Sequence, residues 1–187
     1  MLKPFSSLID FNTGRLENYD NIVTRRLSDM KGMFTDQQAY KKALEAEDSL
    51  VYEVFEKTVP EEDGQLAHAV TVIYPGVVGL EYFMTKGHFH VIENTAELYL
   101  CVKGAGGILM ETKEGESKYL EMKPGSLVYV APFWAHRTVN TSKEEFAFLA
   151  IYPAHAGHDY GLIEKEGFSK LIVEHDGAPK IVDNPNR

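Results

Sequence analysis

The chain is 187 residues long, which is enough for one sizeable hydrophobic core and short for two domains. Its 19 basic and 28 acidic residues give a net charge of −9, which argues against nucleic acid or an anionic membrane surface as a partner. No apolar run is long enough to span a bilayer, and the first residues lack the pattern of a signal peptide. The single cysteine cannot form an internal disulfide, so we expect a cytoplasmic protein.

The N-terminal part predicts one helix and little other regular structure. Residues 6–11 predict a short strand. Residues 15–28 show no clean period and predict a loop or an edge strand. Residues 37–47 are rich in good helix formers, and Thr35 and Gln38 have the spacing of a capping box at the start of that helix.

From residue 50 onward the pattern changes to short β-type segments separated by glycine, proline and asparagine turns. Many short strands of this kind indicate a sandwich or a barrel. No repeat or linker interrupts them, so we expect one domain over residues 1–187, with an extension (1–48), a β-barrel core (50–152) and a C-terminal loop and hairpin (153–187). The predicted strands are residues 51–59, 66–74, 81–85, 88–92, 97–103, 108–112, 119–122, 126–130, 136–140, 146–152, 170–174 and 180–182.

A pair of histidines, His88 and His90, is the first sign of a metal site. In a strand the two side chains share one face about 7 Å apart, so both can reach one cation. Such a pair also occurs by chance and is weak evidence alone. His136 by itself is equally compatible with a surface histidine beside an aromatic turn, but together with the pair it supplies a further ligand.

Two acids compete for the carboxylate position of this site. Glu93 lies three residues after the histidine pair, an odd step, and beside a predicted turn where a solvated acid is expected. Glu97 opens an apolar strand in which Glu97, Tyr99 and Cys101 share a face. A buried carboxylate needs a partner, because burying it unpaired is very unfavourable. We therefore predict Glu97 as the ligand.

These residues lie in segments that resemble the two cupin motifs, with departures. Six residues separate His90 from Glu97 where three or four are usual, and Trp134 stands where many cupins have glycine. Longer segments, residues 85–90, 129–140 and 156–161, closely resemble the cupin-type phosphoglucose isomerases of archaea. The residues that carry the general cupin likeness are Gly87, His88, His90, Glu97 and Gly104, then Pro124, Gly125, Pro132, His136 and Asn140.

The resemblance implies an all-β fold, the cupin double-stranded β-helix or jelly roll, with one or two short helices. It implies a homodimer that interconverts glucose 6-phosphate and fructose 6-phosphate. It also implies one divalent metal per subunit, Fe(II) with replacement by other ions, on His88, His90, Glu97 and His136. Imidazole and carboxylate ligands suit Fe, Ni, Mn or Zn and do not select among them.

The same resemblance indicates which residues contact the sugar phosphate. Hydroxyl groups and backbone N–H groups can hold a phosphate as well as cations do, although threonines are also ordinary strand residues and tyrosines ordinary core residues. The predicted substrate contacts are Tyr52, Thr71, Thr85, Gly87, Tyr152 and Tyr160, with Glu97, Tyr99 and His158 near the reacting carbons.

Four histidines are not among the predicted metal ligands. His158 stands in a glycine-flanked loop, a common place for catalytic groups, but His155 is close to it in the sequence. We expect His68 and His175 to lie at the surface.

Three functions remain open at this point: an aldose–ketose isomerase, which leads; a cupin dioxygenase that uses the same ligands with iron or nickel; and a non-catalytic sugar-binding cupin. For the isomerase, the hydrogen passes between C2 and C1 either as a proton through an enediol, with Glu97 as base, or as a hydride. We favour the enediol. Use of mannose 6-phosphate is also left open.

Overall fold

The computed structural model describes residues 2–187. Within them lie two α-helices, α1 (Gln37–Ala46) and α2 (Gly161–Glu166), and a short 3-10 helix at Leu27–Met30. The rest of the regular structure is β. The strands are β1 (Ile9–Asp10), β2 (Arg15–Leu16), β3 (Asn21–Arg26), β4 (Leu50–Lys57), β5 (Leu66–Ile73), β6 (Val77–Val78), β7 (Glu81–Tyr82), β8 (Glu97–Lys103), β9 (Gly106–Thr112), β10 (Ser117–Met122), β11 (Leu127–Val130), β12 (Trp134–Asn140), β13 (Phe146–Pro153), β14 (Lys170–His175) and β15 (Ala178–Asp183).

Two antiparallel sheets form the body of the fold. One has the strand order β11-β8-β13-β5-β4-β3, and the other has the order β10-β9-β12. Residues 84–88 extend the second sheet through bridges from Met84 to Val139 and from His88 to His136. From β5 to β13 the chain passes back and forth between the two sheets, with one hairpin, β9-β10, inside the second. This connectivity is that of a jelly roll, so the predicted fold class is confirmed.

The hydrophobic core lies between these sheets, because alternate residues of each strand point inward. A smaller sheet, β15-β14-β7-β6, contains the predicted C-terminal hairpin. No helix in residues 2–187 is long and apolar enough to cross a membrane. Buried core side chains come from the larger sheet at Ile73, Tyr99, Phe146 and Phe148, and from the facing sheet at Ile108, Met110, Met122 and Val139.

The N-terminal predictions need correction. The strand predicted at residues 6–11 is reduced to the two residues of β1, since only these pair with β2. Of the two alternatives for residues 15–28, the edge strand is confirmed: besides β2 and the start of the 3-10 helix they contain β3, an edge strand of the six-stranded sheet. The predicted cap of α1 is also wrong. Asp36, not Thr35, accepts hydrogen bonds from the backbone N–H groups of the first turn.

The segment that carries the histidine pair is not the continuous strand predicted at residues 88–92. His88 and Phe89 make isolated bridges, to His136 and to Asp159 respectively. Gly87, with φ of +78°, interrupts the extended backbone just before them. The chain therefore bends between the facing sheet and the loop that carries Asp159, which a period-two pattern cannot predict.

Candidate active site

Four side chains converge inside the jelly roll. His88 and His90 come from the bent segment before β8, Glu97 opens β8, and His136 lies on β12. One ligand atom from each lies within 4.8 Å of those of the other three. Reciprocal backbone hydrogen bonds between His88 and His136, at 3.2 and 3.1 Å, hold the two chain segments together. The resulting ring centroids are 4.4 Å apart.

The neighbour of His90 determines which ring nitrogen carries its proton. The Thr95 hydroxyl donates to the Ile92 carbonyl at 2.6 Å, so it accepts from His90 Nδ1–H at 2.7 Å. The Nε2 atom of His90 therefore has a free lone pair. That atom lies 3.1 Å from Glu97 Oε2. A fixed tautomer of this kind is how a second layer of residues orients a metal-binding histidine.

His136 has the same arrangement. Its Nδ1 lies 3.3 Å from the Trp134 carbonyl, which can only accept, so the proton is on Nδ1 and Nε2 is free. Nε2 lies 3.0 Å from Glu97 Oε2 without hydrogen-bond geometry. The Nε2 atom of His88 is likewise buried and without a partner among residues 2–187. Two buried lone pairs and a third buried, unpartnered imidazole nitrogen thus surround one carboxylate, an arrangement that a cation stabilises.

The charge states of the four ligands agree with a cation site. Burial by itself raises the pKa of Glu97, and only a positive charge at the facing nitrogens of His136 and His90, a proton or a metal cation, lowers that pKa. Burial, followed by the other imidazoles, lowers the pKa of His88 well below its ordinary value. An ionised carboxylate with neutral imidazoles is a donor set that binds Fe, Ni, Mn or Zn.

The competing acid lies elsewhere. Glu93 is partly exposed at the surface and forms an ion pair with Lys113. Its backbone carbonyl accepts from the N–H of Phe133, which keeps residue 93 in a turn. The structure therefore brings Glu97, and not Glu93, to the histidines.

A cavity of about 190 Å³ opens beside the four ligands. Apart from His90, which lies behind the other ligands, every site residue predicted from the sequence lines it. The lining includes the ligands His88, Glu97 and His136, the hydroxyl and glycine positions Tyr52, Thr71, Thr85, Gly87, Tyr152 and Tyr160, and the residues Tyr99 and His158.

The turn at Gly87 is closely packed. A Cβ atom there would meet Phe168 Cε2 at 2.7 Å and the His136 carbonyl oxygen at 3.1 Å, so both space and the positive φ require glycine. Arg137 donates through Nη2 to the Lys86 carbonyl at 2.6 Å, and its guanidinium carbon lies 4.8 Å from the ring centroid of Phe168. These contacts fix the backbone that enters the cavity.

The histidine predicted to act on the sugar lies against the ligands. The ring of His158 is 4.4 Å from that of His88 and stacks on Tyr160 at 6.2 Å. Burial lowers the pKa of His158, so this imidazole is neutral at neutral pH. His155 does not line this cavity; its Nε2 lies 4.0 Å from Asp63 Oδ1.

The two histidines predicted at the surface have different environments. His175 is exposed, as predicted. His68 is less exposed than predicted: it is half-buried, and its Nε2 lies 2.7 Å from the Ser7 hydroxyl oxygen. Neither approaches the four ligands.

The tyrosines of the cavity stay protonated. Burial raises the pKa of Tyr52 to about 12 and raises the pKa of Tyr152 further. Burial, and then the charge of Glu97, raises the pKa of Tyr99 well above its ordinary value. Each hydroxyl is therefore a hydrogen-bond donor over the whole physiological range.

Sequence reasoning did not select two cations of the cavity wall, Arg25 and Lys86. Arg25 lies on β3, in the stretch where the sequence predicted a loop or an edge strand. The β-branched run Ile22, Val23 and Thr24 was the available signal, because it favours a strand on which residues 23 and 25 share a face.

A jelly roll with three histidines and one glutamate converging beside a polar cavity has the fold of a cupin and a set of side chains that could hold a metal ion. The family model "Glucose-6-phosphate isomerase (GPI)" matches residues 24–186. The chain belongs to this family. Glucose-6-phosphate isomerases from Pyrococcus furiosus and Thermococcus litoralis are each 54% identical to it over 183 residues, covering 98% of this chain and 96% of theirs. The one from Pyrococcus horikoshii is 52% identical with the same coverage.

Among solved structures, the chain has a partial similarity to oxalate decarboxylase from Bacillus subtilis. One mutant of that protein matches with a TM-score of 0.45 and 20% identity, covering 59% of this chain and 28% of the other. A formate complex of oxalate decarboxylase from Lactobacillus farciminis matches with a TM-score of 0.45 and 16% identity, covering 58% and 30%.

Proposed function

We propose that the chain is a metal-dependent glucose-6-phosphate isomerase, which interconverts glucose 6-phosphate and fructose 6-phosphate in glycolysis and gluconeogenesis. One observation carries this proposal: in a member of this family, a buried three-histidine, one-glutamate cluster opens into a small cavity lined with hydroxyl groups. A phosphorylated sugar and a single buried thiol, Cys101, favour the cytoplasm as its location.

The metal is one divalent ion per subunit, Fe(II) by preference, with Ni, Mn or Zn as substitutes. His88, His90, Glu97 and His136 hold it. When bound there, such an ion polarises the carbonyl and hydroxyl oxygens of the sugar. The Thr95 hydroxyl and the Trp134 carbonyl accept from the Nδ1–H groups of His90 and His136, which would leave the Nε2 lone pairs of these two histidines for such an ion.

The phosphate is held by the hydroxyls of Thr71 and Thr85 and by the Gly87 amide. The Thr138 backbone N–H donates to the Thr85 hydroxyl oxygen at 3.1 Å. The Thr85 and Thr138 hydroxyls lie 3.2 Å apart, and when Thr138 is the donor of that pair the proton of Thr85 is available to a phosphate oxygen. Tyr52, Tyr152 and Tyr160 complete the polar wall of the cavity.

The chemistry at C1 and C2 is assigned to Glu97, with Tyr99 and His158 beside it. One carboxylate oxygen of Glu97 removes a proton from C2 and returns it to C1 through an enediol. His158, neutral at neutral pH, accepts and donates the proton that opens the sugar ring or moves between its oxygens. Tyr99 donates a hydrogen bond nearby.

Turnover of C2-deuterated glucose 6-phosphate tests this route. A carboxylate base exchanges its proton with solvent, so part of the deuterium should be lost to water. Complete retention of deuterium at C1, across temperatures and long incubations, would instead establish a hydride transfer and leave Glu97 as a ligand only.

The function itself is tested by an anaerobic isomerase assay on metal-stripped protein, with each divalent ion added back. Turnover should vanish on stripping and return with the metal, most strongly with Fe(II). Full activity in metal-free protein would contradict the metal dependence. Oxygen consumption with an organic substrate would identify a dioxygenase, and sugar binding without turnover would identify a binding protein.

A homodimer is part of the proposal, because a mainly β chain has to protect its sheet edges. β3 and β11 are the edges of the six-stranded sheet, and β15 is an edge of the smaller one. On β11, Leu127 and Tyr129 are 65% and 60% exposed, which favours a contact with a second copy. Sedimentation should give a dimer at micromolar concentration; a monomer would contradict this assignment.

A further inference from the structure

We propose that Arg25 is a substrate-binding residue whose guanidinium group provides the positive charge for the phosphate of the sugar. This inference rests on the proposed function, because it requires a phosphorylated substrate. The phosphate donors described so far, two hydroxyls and one amide, are all neutral. A dianion entering a protein with a net charge of −9 needs a local cation to offset the unfavourable field.

The sheet register places Arg25 on the inner wall of the cavity. β3 pairs with β4 so that Arg25 is opposite Tyr52 and Val23 is opposite Val54. β4 pairs with β5 so that Val54 is opposite Thr71. All five residues line the cavity. The backbones of Arg25 and Thr71 are thus two strands and two residues apart, roughly 12 Å, a span that an arginine side chain and a phosphate group bridge together.

Arg25 is also the cation that has no acidic partner. It is half-buried, and among residues 2–187 no carboxylate oxygen lies within 4.0 Å of its guanidinium nitrogens. Its hydrogen bond to the Thr24 carbonyl, at 3.3 Å, is long. Lys86, the other cation of the cavity wall, has its Nζ 3.7 Å from Glu164 Oε1.

The immediate neighbours of Arg25 fit a phosphate contact. Tyr52, which is opposite Arg25 in the sheet, and Tyr160 line the same cavity, and burial raises the pKa of both hydroxyls while the charge of Arg25 opposes that effect. Glu56 also lines this wall, but its Oε2 accepts from Asn21 Nδ2 at 2.8 Å, which directs it toward the edge of the sheet. A guanidinium with two phenol donors can bind three phosphate oxygens.

Steady-state kinetics of the Arg25→Gln holoenzyme test the inference. The KM for fructose 6-phosphate should rise about 10- to 100-fold, the effect of one lost charge-assisted contact, while kcat changes by less than about threefold. Arg25→Lys should recover part of the loss. Arg26→Gln is the matched control: it removes the same charge from the next residue, whose guanidinium donates to the Asp48 carbonyl instead, and its KM should change less than about twofold.

A direct titration separates this inference from the proposed function. Glycerol 3-phosphate, measured by calorimetry, should bind Arg25→Gln about 10- to 100-fold more weakly than wild type, with equal metal content and melting temperature. Equal binding by both proteins, or a loss of affinity in Lys86→Met with none in Arg25→Gln, would overturn the role of Arg25 and leave the isomerase intact. A wild-type protein without isomerase activity would refute the proposed function, and the titration would still decide on Arg25.

Discussion

The two ends of the cavity are built in opposite ways. At the metal end, His90, Glu97 and His136 are at most 5% exposed, and neighbouring acceptors set the histidine tautomers. At the other end, Arg25 is partly open to solvent. The buried end is suited to chemistry, because electrostatic interactions are strong where water is excluded. The open end is suited to capture, because a charged substrate has to exchange its water for protein donors as it enters.

Removing a contact at the open end should therefore mainly raise KM. Removing one at the buried end should mainly lower kcat or the metal content. The experiments that follow run from the largest expected effect to the smallest.

Removing the phosphate from the substrate should have the largest effect, because it eliminates every contact at the open end together. Losing two or three charge-assisted hydrogen bonds at about 1.5–3 kcal/mol each lowers kcat/KM for glucose by several orders of magnitude relative to glucose 6-phosphate. Coupled assays on both sugars with the same enzyme measure this ratio. Comparable turnover of free glucose would show that the open end does not bind a phosphate.

Glu97→Gln should lower kcat by about 10³-fold or more, because it removes both a ligand charge and the proposed base at the buried end. Glu93→Gln is the matched control, since Glu93 pairs with Lys113 at the surface, and its kcat should stay within about twofold. Metal analysis of both variants accompanies the kinetics. If Glu97→Gln kept its metal and its full activity, the assignment of both roles would be wrong.

Gly87→Ala should disturb the segment that joins the two ends. The new Cβ meets Phe168 and the backbone of His136 at a φ of +78°, so strain and overpacking together should lower the free energy of unfolding by about 2–4 kcal/mol. Gly115→Ala separates the two causes, because Gly115 has a φ of +92° with no atom within 4 Å of the new Cβ. Its loss should be about 1–2 kcal/mol in denaturant unfolding. Equal losses in both variants would mean that crowding at Gly87 is unimportant.

Thr95→Val should have the smallest effect of the four, because it leaves every ligand in place and removes only the acceptor that orients His90. Substitutions in this second layer weaken metal binding about 10- to 100-fold, which competition with a chelator measures. Thr24→Val, on the outer side of β3, is the control and should bind metal as wild type does. A metal affinity unchanged in Thr95→Val would show that packing or the Thr95 backbone carbonyl, 3.3 Å from Nδ1, orients His90 without the hydroxyl.

Much of this protein follows from local sequence pattern. The helix over residues 37–47 and the strand over residues 97–103 lie within about one residue of α1 and β8, since periodicity and propensity act over short stretches. The preference for Glu97 over Glu93 came from the same alternation, which places Glu97 and Tyr99 on one buried face. The single-domain organisation stays a prediction.

The errors occur where a long-range contact overrides the local pattern. Asp36 rather than Thr35 caps α1, and the backbone N–H of Thr35 donates instead to the buried Glu81, 46 residues away in the sequence. For residues 21–26, where the sequence left a loop or an edge strand open, pairing with β4 selects the edge strand. Residues 88–92 bend because they pair with β12 and with residue 159 in turn.

The sequence by itself therefore determined the all-β class, the resemblance to cupin-type isomerases and the residue types of the metal centre. These depend on alternation, on turn residues and on short motifs, all of which are local. Only the tertiary structure decided which nitrogens of His90 and His136 are free, and that Arg25 lies across the cavity from Thr71 without an acidic partner. Such features depend on which strands become neighbours, and the free energy that selects those neighbours comes from burial of the whole core.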